Sequence, residues 1–274
     1  MCSLILSTSF QAAVVRQPGG PFELETVRLN SLQPHEVVVR IVATGMCYTD
    51  MVARDRLYPI PQPIVLGHEG APASCQNFNA LYFFGQRHDG SHALCCQDNQ
   101  LLHDRFFGQS SFAAFAVVDQ RNIVKVRPDA PLELLGPQGC GIQTGAGATT
   151  IIAIDVVEER LALARELGAT HVINSRESDP VKAIRDITGD GVDFSLESTG
   201  RPDIVRAGVE ALRPRGIVEG DSIPDIFIPQ LVELYMQGRF PIDKLMRFYA
   251  FDQINQAAAD SEHGKTIKPV IRIG

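Results

Sequence analysis

TTIIAIDVVEERLALARELGATHVIN, residues 149–174, is where the chain changes rhythm. Thr150–Asp155 is a short apolar run ending on an acid, too short for a helix and rich in isoleucine, and it reads as a strand. Glu158–Leu167 carries its acids in the first turn and is followed at once by Gly168, the charge and cap pattern of a helix. His171–Asn174 reads as the next strand. Strand, helix and strand in that order imply a parallel pair joined by a right-handed crossover. The alternation continues with Val181–Thr188 as a helix, Val192–Leu196 as a strand with Val192, Phe194 and Leu196 on one face, and Asp203–Leu212 as a helix. A parallel α/β sheet is expected here.

Outward from this stretch the pattern is different. Ala12–Arg16 and Glu36–Thr44 (EVVVRIVAT) are rich in Val and Ile, and the second is continuous enough to be a strand buried on both faces. Phe112–Val118 and Asn122–Val126 are two further strand candidates, whereas Gln76–Phe107 lacks clear periodicity and reads as loop. Toward the C-terminus, an amphipathic helix over Asp225–Gln237 is ended by Gly238. A second helix, Asp252–Glu262, stops at Gly264, and a strand Lys268–Ile273 follows. There is no internal repeat, low-complexity tract or long charge run.

The 274 residues carry 25 Lys and Arg against 32 Asp and Glu, a net charge of −7, which argues against nucleic acid or an anionic membrane as a partner. No apolar stretch is long enough to span a bilayer; the best, Thr150–Val157, is interrupted by Asp155. MCSLILSTSF lacks a basic n-region, Arg16 being the first cation, so no secretory signal is expected. Six cysteines are too sparse for a disulfide scaffold. A reduced, soluble, cytoplasmic protein is the expectation.

Three glycine-flanked segments carry candidate chemistry: GMCYTD (Gly45–Asp50), GHEG (Gly67–Gly70) and PQGCGIQTGAGA around Cys140. Cys47 and His68 suit zinc, but the pair alone is weak, because a buried cysteine is commonly just a small hydrophobe. His68-Glu69 is not a zincin motif, since the second histidine is absent. Cys140 supplies a third ligand at the junction of the β-rich and βαβ regions, and three protein ligands leave one position for substrate. A rival set, Cys75, His88, His92, Cys95, Cys96 and His103, could trap zinc or copper. It has no recognised spacing, and exposed thiols with solvated histidines are the preferred reading.

GMCYTD, VLGHEG, FFGQSSFAAFAVV, LELLGPQGCGIQTGAGA, the strand ending in Asp155 and the tail VEGDSIPDIFIPQLVELYMQGRFPIDKL together resemble the zinc-dependent medium-chain dehydrogenases. The resemblance is strongest to the aryl-alcohol (benzyl-alcohol) dehydrogenase branch and covers nearly the whole chain, in segments and in order. It implies an α/β protein: a GroES-like, partly open β-barrel catalytic domain over 1–142 and 219–274, flanking a truncated Rossmann-type parallel-sheet domain over 143–218. It also implies one catalytic zinc held by Cys47, His68 and Cys140, with Thr49 passing the substrate proton outward. Asp50 would be the carboxylate that orients His68, and Glu69 would lie beside the metal to assist ligand exchange. For NAD it implies Asp155 on the adenosine ribose with Arg160 near it, Thr199 and Gly200 in the turn after the fourth strand, and Lys268 near the pyrophosphate. Asp155 also has a bland reading, a solvated acid near a helix N-terminus. The implied reaction interconverts aryl or bulky primary alcohols and aldehydes, small-molecule substrates, with a homo-oligomer left open.

The chain departs from the family at three joins. TGAGA runs straight into TTIIAID, omitting a strand, the glycine loop and a helix; Gly145 and Gly147 begin a fingerprint whose third glycine is replaced by Thr150. GHEG runs into APASC, omitting barrel strands and most of the structural-zinc lobe, of whose four cysteines only Cys75 remains. RPRG runs into IVEGDS, omitting the fifth strand of the sheet. Loss of the first strand should leave its neighbours unpaired and remove the helix N-terminus that binds pyrophosphate. Two readings follow: a zinc-dependent NAD oxidoreductase, or a zinc-binding, catalytically inactive remnant of one.

Overall fold

β1 (Ser9–Val15) turns at Gly19, whose φ of +68° favours glycine, and returns as β2 (Phe22–Leu29), so that Ser9 faces Arg28 and Val15 faces Phe22. The N-terminal part continues with β3 (Glu36–Arg40), β4 (Ala43–Gly45), α1 (Tyr48–Arg54), β5 (Ile64–Val65), β6 (Leu94–Cys96) and β7 (Phe115–Asp119). Next come β8 (Ile152–Asp155), α2 (Glu158–Glu166), β9 (His171–Asn174), α3 (Pro180–Thr188), β10 (Val192–Ser195), α4 (Pro202–Glu210) and β11 (Leu212–Val218). The chain ends with α5 (Pro224–Met236), β12 (Met246–Ala250), α6 (Ile254–Glu262) and β13 (Lys268–Arg272). This computed structural model describes residues 8–69, 83–139, 149–197, 199, 201–218 and 224–274. It divides into two units, Met1–Cys140 with Ile223–Gly274, and Gly141–Ser222. No helix among the described residues is long and apolar enough to cross a membrane.

The first unit is built on antiparallel strands in the order β5-β1-β2-β6, with β3 paired to β7 and a third sheet in the order β12-β13-β4. Its core lies between them, where Val14, Ile64, Leu66, Phe106, Phe112 and Ile271 are completely buried. In the second unit β8 pairs in parallel with β9, and β10 with β11. Among the described residues the two pairs are not joined, the arrangement expected where a central strand is missing. The fold is GroES-like with a Rossmann-type α/β part.

Several expectations need correction. Glu36–Thr44 is two strands, because the chain leaves β7 at Ile41 and Val42 to reach β13, and β3 is half-buried from Glu36 to Val39 with Arg40 exposed. Asn122–Val126 forms no ladder among the described residues; a short 3-10 turn over Gln120–Asn122 runs into it, Val124 and Val126 only half-bury, and Ile123 is exposed. The described part of Gln76–Phe107 is not all loop, since Leu94–Cys96 adds to β2. The join at RPRG-IVEGDS does not end the sheet: residues on both sides of it make β11. The join shows in the register, for Val192 pairs with Leu212 but Phe194 pairs with Ile217, and Arg215 has a φ of +70°. The strand ends at Ser195, and Phe194 and Leu196 are both exposed. The elements β2, α1, β5 and β12 have no counterpart in the sequence pattern.

Candidate metal centre

Cys47 stands at the N-terminus of α1, between β4 and the helix. Asp50, in the first turn, is fully buried and satisfies three groups at once. Its Oδ2 accepts the Cys47 amide at 2.9 Å, while its Oδ1 accepts the Gly67 amide at 3.1 Å and lies 3.0 Å from the His68 Nδ1. One carboxylate thereby ties the Cys47 turn to the His68 turn. The hydrogen bond at Nδ1 leaves Nε2 as the ligand nitrogen.

His68 is almost completely buried, with the Phe107 ring tilted by 35° against it at a centroid distance of 4.7 Å and Phe106 edge-on at 5.7 Å. Burial works against a charged imidazole, yet the Asp50 carboxylate and then the Cys47 sulfur outweigh it and push the His68 pKa up to about 10. The donor atoms of Cys47, His68 and Glu69 all lie within 4.8 Å of one another. Bonds of about 2.0–2.3 Å from sulfur and nitrogen would let one zinc bridge that spacing after small adjustments. The Thr49 hydroxyl is 3.7 Å from the Cys47 sulfur.

Glu69 is the unusual neighbour. Only 1% exposed, it pairs through Oε1 with the Lys268 ammonium, while Oε2 is buried with no hydrogen-bond partner. Burial pushes its pKa up to about 7 despite Lys268. Gly45 makes room for it: a Cβ at that position would lie 1.7 Å from Oε2. An orphaned carboxylate oxygen beside a thiol and an imidazole fits a cation better than it fits a closed core. The 3-10 turn Gly136–Gly139, which precedes Cys140 in the sequence, also packs here, with Gly136 against the Glu69 carbonyl.

Cys140 itself lies outside the described residues, as do Gly200 and Cys75. Lys268, assigned by the resemblance to the pyrophosphate, has its ammonium on Glu69. In the second unit Asp155 ends β8 and its Oδ1 accepts the amides of Val156 and Val157 at 2.7 and 2.9 Å, with Arg160 at 3.5 Å from Oδ2. Thr199 donates to the Glu197 carboxylate. Two contacts on His68 escaped the sequence reading: Gln109, whose amide donates to the His68 carbonyl at 2.6 Å, and Phe107, held at a φ of +51°. Both sit in FFGQSSF, a motif legible as family likeness but silent about what it touches.

A GroES-like unit with a buried Cys–His–carboxylate cluster, accompanied by parallel βα units, defines the zinc-binding dehydrogenase class. Residues 33–73 match the alcohol dehydrogenase GroES-like domain, and residues 139–219 match the zinc-binding dehydrogenase family. Geraniol dehydrogenase of Castellaniella defragrans is 35% identical over 364 positions, covering 96% of this chain and 97% of that protein. That span exceeds the 274 residues here, so positions of the relative stand opposite gaps. Among solved structures, an alcohol dehydrogenase zinc-binding domain protein from Burkholderia ambifaria superposes with a TM-score of 0.88 at 42% identity, covering 98% of this chain and 100% of that one. Benzyl alcohol dehydrogenase from Acinetobacter calcoaceticus gives 0.86 at 40% identity, covering 97% and 100%. The chain belongs to the zinc-dependent medium-chain alcohol dehydrogenase family.

Proposed function

We propose that the cluster around Cys47 and His68 is the metal centre of an oxidoreductase that interconverts aryl or other bulky primary alcohols and their aldehydes with NAD. The observation that carries this reading is the convergence of Cys47, His68 and Glu69 around a buried, orphaned oxygen. Cys47 and His68, with Cys140 by family likeness, would hold the zinc. When bound, the metal supplies a Lewis acid that favours ionisation of the substrate hydroxyl. Asp50 holds the His68 ring in one tautomer and orientation. Thr49, beside the thiol, receives the hydroxyl proton and passes it outward. Glu69, neutralised in part by Lys268, stands by as an alternate ligand. Asp155, Arg160, Thr199 and Gly200 are the proposed NAD contacts in the second unit, NAD taking the hydride when bound, while Lys268, the further contact implied by family likeness, stays on Glu69. Phe107 against His68, continued by Phe83 at 5.5 Å from Phe107 and Tyr58 at 5.7 Å from Phe83, gives an unsaturated substrate aromatic surface to lie against. Geraniol and benzyl alcohol, named for two similar proteins, are both of that kind.

A second reading, a zinc-binding chain without turnover, is favoured by the separation of β8–β9 from β10–β11. Asp155 already accepts two backbone amides. One or two hydrogen bonds to a ribose, at about 1 kcal/mol each, fall short of the roughly 4 kcal/mol that even a millimolar dissociation constant represents. NADH fluorescence on the zinc-loaded protein separates the readings. Saturation at micromolar NADH, with benzaldehyde reduced, supports the first; no saturation below millimolar concentration supports the second.

A further inference from the structure

Outside the Cys47 centre, residues 83–107 bring two histidines together. The rings of His92 and His103 have centroids 5.0 Å apart and planes crossed at 82°. The Nδ1 of each is buried and has no hydrogen-bond partner. Gly85 shapes the space: its φ is +64°, a Cβ there would lie 2.9 Å from the His103 Cβ, and its carbonyl, which accepts the Asp104 amide at 3.0 Å, is a backbone acceptor beside both imidazoles. Asp104, next in the chain, also carries a buried, unpartnered oxygen, Oδ1, while its Oδ2 accepts the Leu94 amide at 2.7 Å. Burial holds both imidazoles below their ordinary pKa, and the neighbouring His103 lowers that of His92 further. Neutral imidazole is the form that coordinates a metal.

The spacing fits one ion. Two imidazoles bound to a tetrahedral ion at about 2.0–2.1 Å have ring centres about 5 Å apart. His92 also lines a cleft of about 630 Å³ with Asn30, Gln33, Arg87 and Cys95, which gives an ion a route in. The nearby guanidinium groups of Arg87 and Arg105 are both paired with Glu36, which reduces their repulsion of a cation. We propose that His92 and His103 form a second metal site, independent of Cys47 and His68, taking a late first-row divalent ion such as zinc, cobalt or nickel. The Gly85 carbonyl or water completes its coordination.

Cobalt(II) equilibrium dialysis of the full-length protein, with absorption spectra, tests this. The wild-type chain should hold two ions, one of which shows a thiolate-to-cobalt charge-transfer band and one of which does not. His92→Phe and His103→Phe should each lose the second ion and keep the band. Cys47→Ser should lose the band and keep the histidine-dependent ion, so failure of the catalytic reading is seen separately. In wild-type protein, substoichiometric cobalt should broaden the His92 and His103 ring signals in NMR spectra, a readout that needs no variant. A single bound ion that carries the thiolate band, retention of the band-free ion in the histidine variants, or a second thiolate band would overturn the proposal, the last by assigning the ion to Cys95 or Cys96; a single band-free ion lost in the histidine variants supports it and counts against the Cys47 centre alone.

Discussion

Asp50 does more than any other side chain near the candidate centre, because its two oxygens serve Cys47, Gly67 and His68 together. An amide at that position keeps one acceptor oxygen and cannot favour the same imidazole tautomer. Asp50→Asn is therefore expected to weaken zinc retention about ten- to a hundredfold, read by competition with a chelator. Unchanged retention would reduce Asp50 to a turn-closing residue. Gly45 is constrained in another way. A methyl group there would overlap the Glu69 carboxylate and press on Pro137 at 3.0 Å, both packed and unable to withdraw easily. Gly45→Ala should cost about 1–3 kcal/mol of stability, seen as a lower urea midpoint. Cys47 and His68 were legible from GMCYTD and GHEG. Gln109 and Phe107 were not, because contacts across about forty residues leave no local periodicity.

Among the strands, β3 shows how a polar network substitutes for burial. Glu36 opens it and accepts Arg87 at 2.7 and 2.9 Å, Arg105 at 2.6 Å and the Gln33 amide at 2.8 Å, with the three charged side chains nearly buried. Burial works against the carboxylate, but the Arg87 and Gln33 hydrogen bonds hold its pKa below the ordinary value. A carboxyl lowered in the folded state contributes stability above its unfolded pKa, about 4.3, and loses that contribution as pH falls through the lower folded value. Glu36→Gln leaves two guanidinium groups short of a partner and should cost about 3–5 kcal/mol at pH 7. The difference from wild type should shrink at pH 3, and denaturant midpoints at the two pH values measure it. This network also explains why EVVVR alternates poorly: β3 is anchored by Glu36 at its start rather than by a fully apolar face. Asn122–Val126 has the residue types of a strand but no neighbour to pair with among the described residues, and β propensity alone does not make a ladder.

The two units differ in how much core they hold. The first buries a continuous cluster from Phe10 to Ile271, whereas the buried apolar residues of the second, among the described residues, are Leu161, Ile173, Ile184 and Ala211. Phe194, 59% exposed, with Ile154, Val209, Ile217 and Val218, leaves apolar surface uncovered in the second unit. Local opening follows from few buried contacts. Hydrogen exchange followed by mass spectrometry should therefore find the amides of β8–β11 exchanging well before those of β1 and β2. Equal protection would mean that the second unit is covered in solution by something that stabilises it.

Local order in the residues determined the βαβ alternation after Thr149, the glycine-flanked Cys47 and His68 turns and the acidic net charge. Each is a short-range property, set by periodicity, cap chemistry or composition within one or two turns of chain. Only the folded chain decided that Lys268 reaches Glu69, that His92 meets His103, and that one carboxylate, Asp50, serves two turns. The same holds for the strand made across RPRG-IVEGDS, whose residues 213–216 fall out of register between two pairs with β10. These are long-range pairings, selected by which buried polar atoms and strand edges find partners, and no window of sequence contains both members.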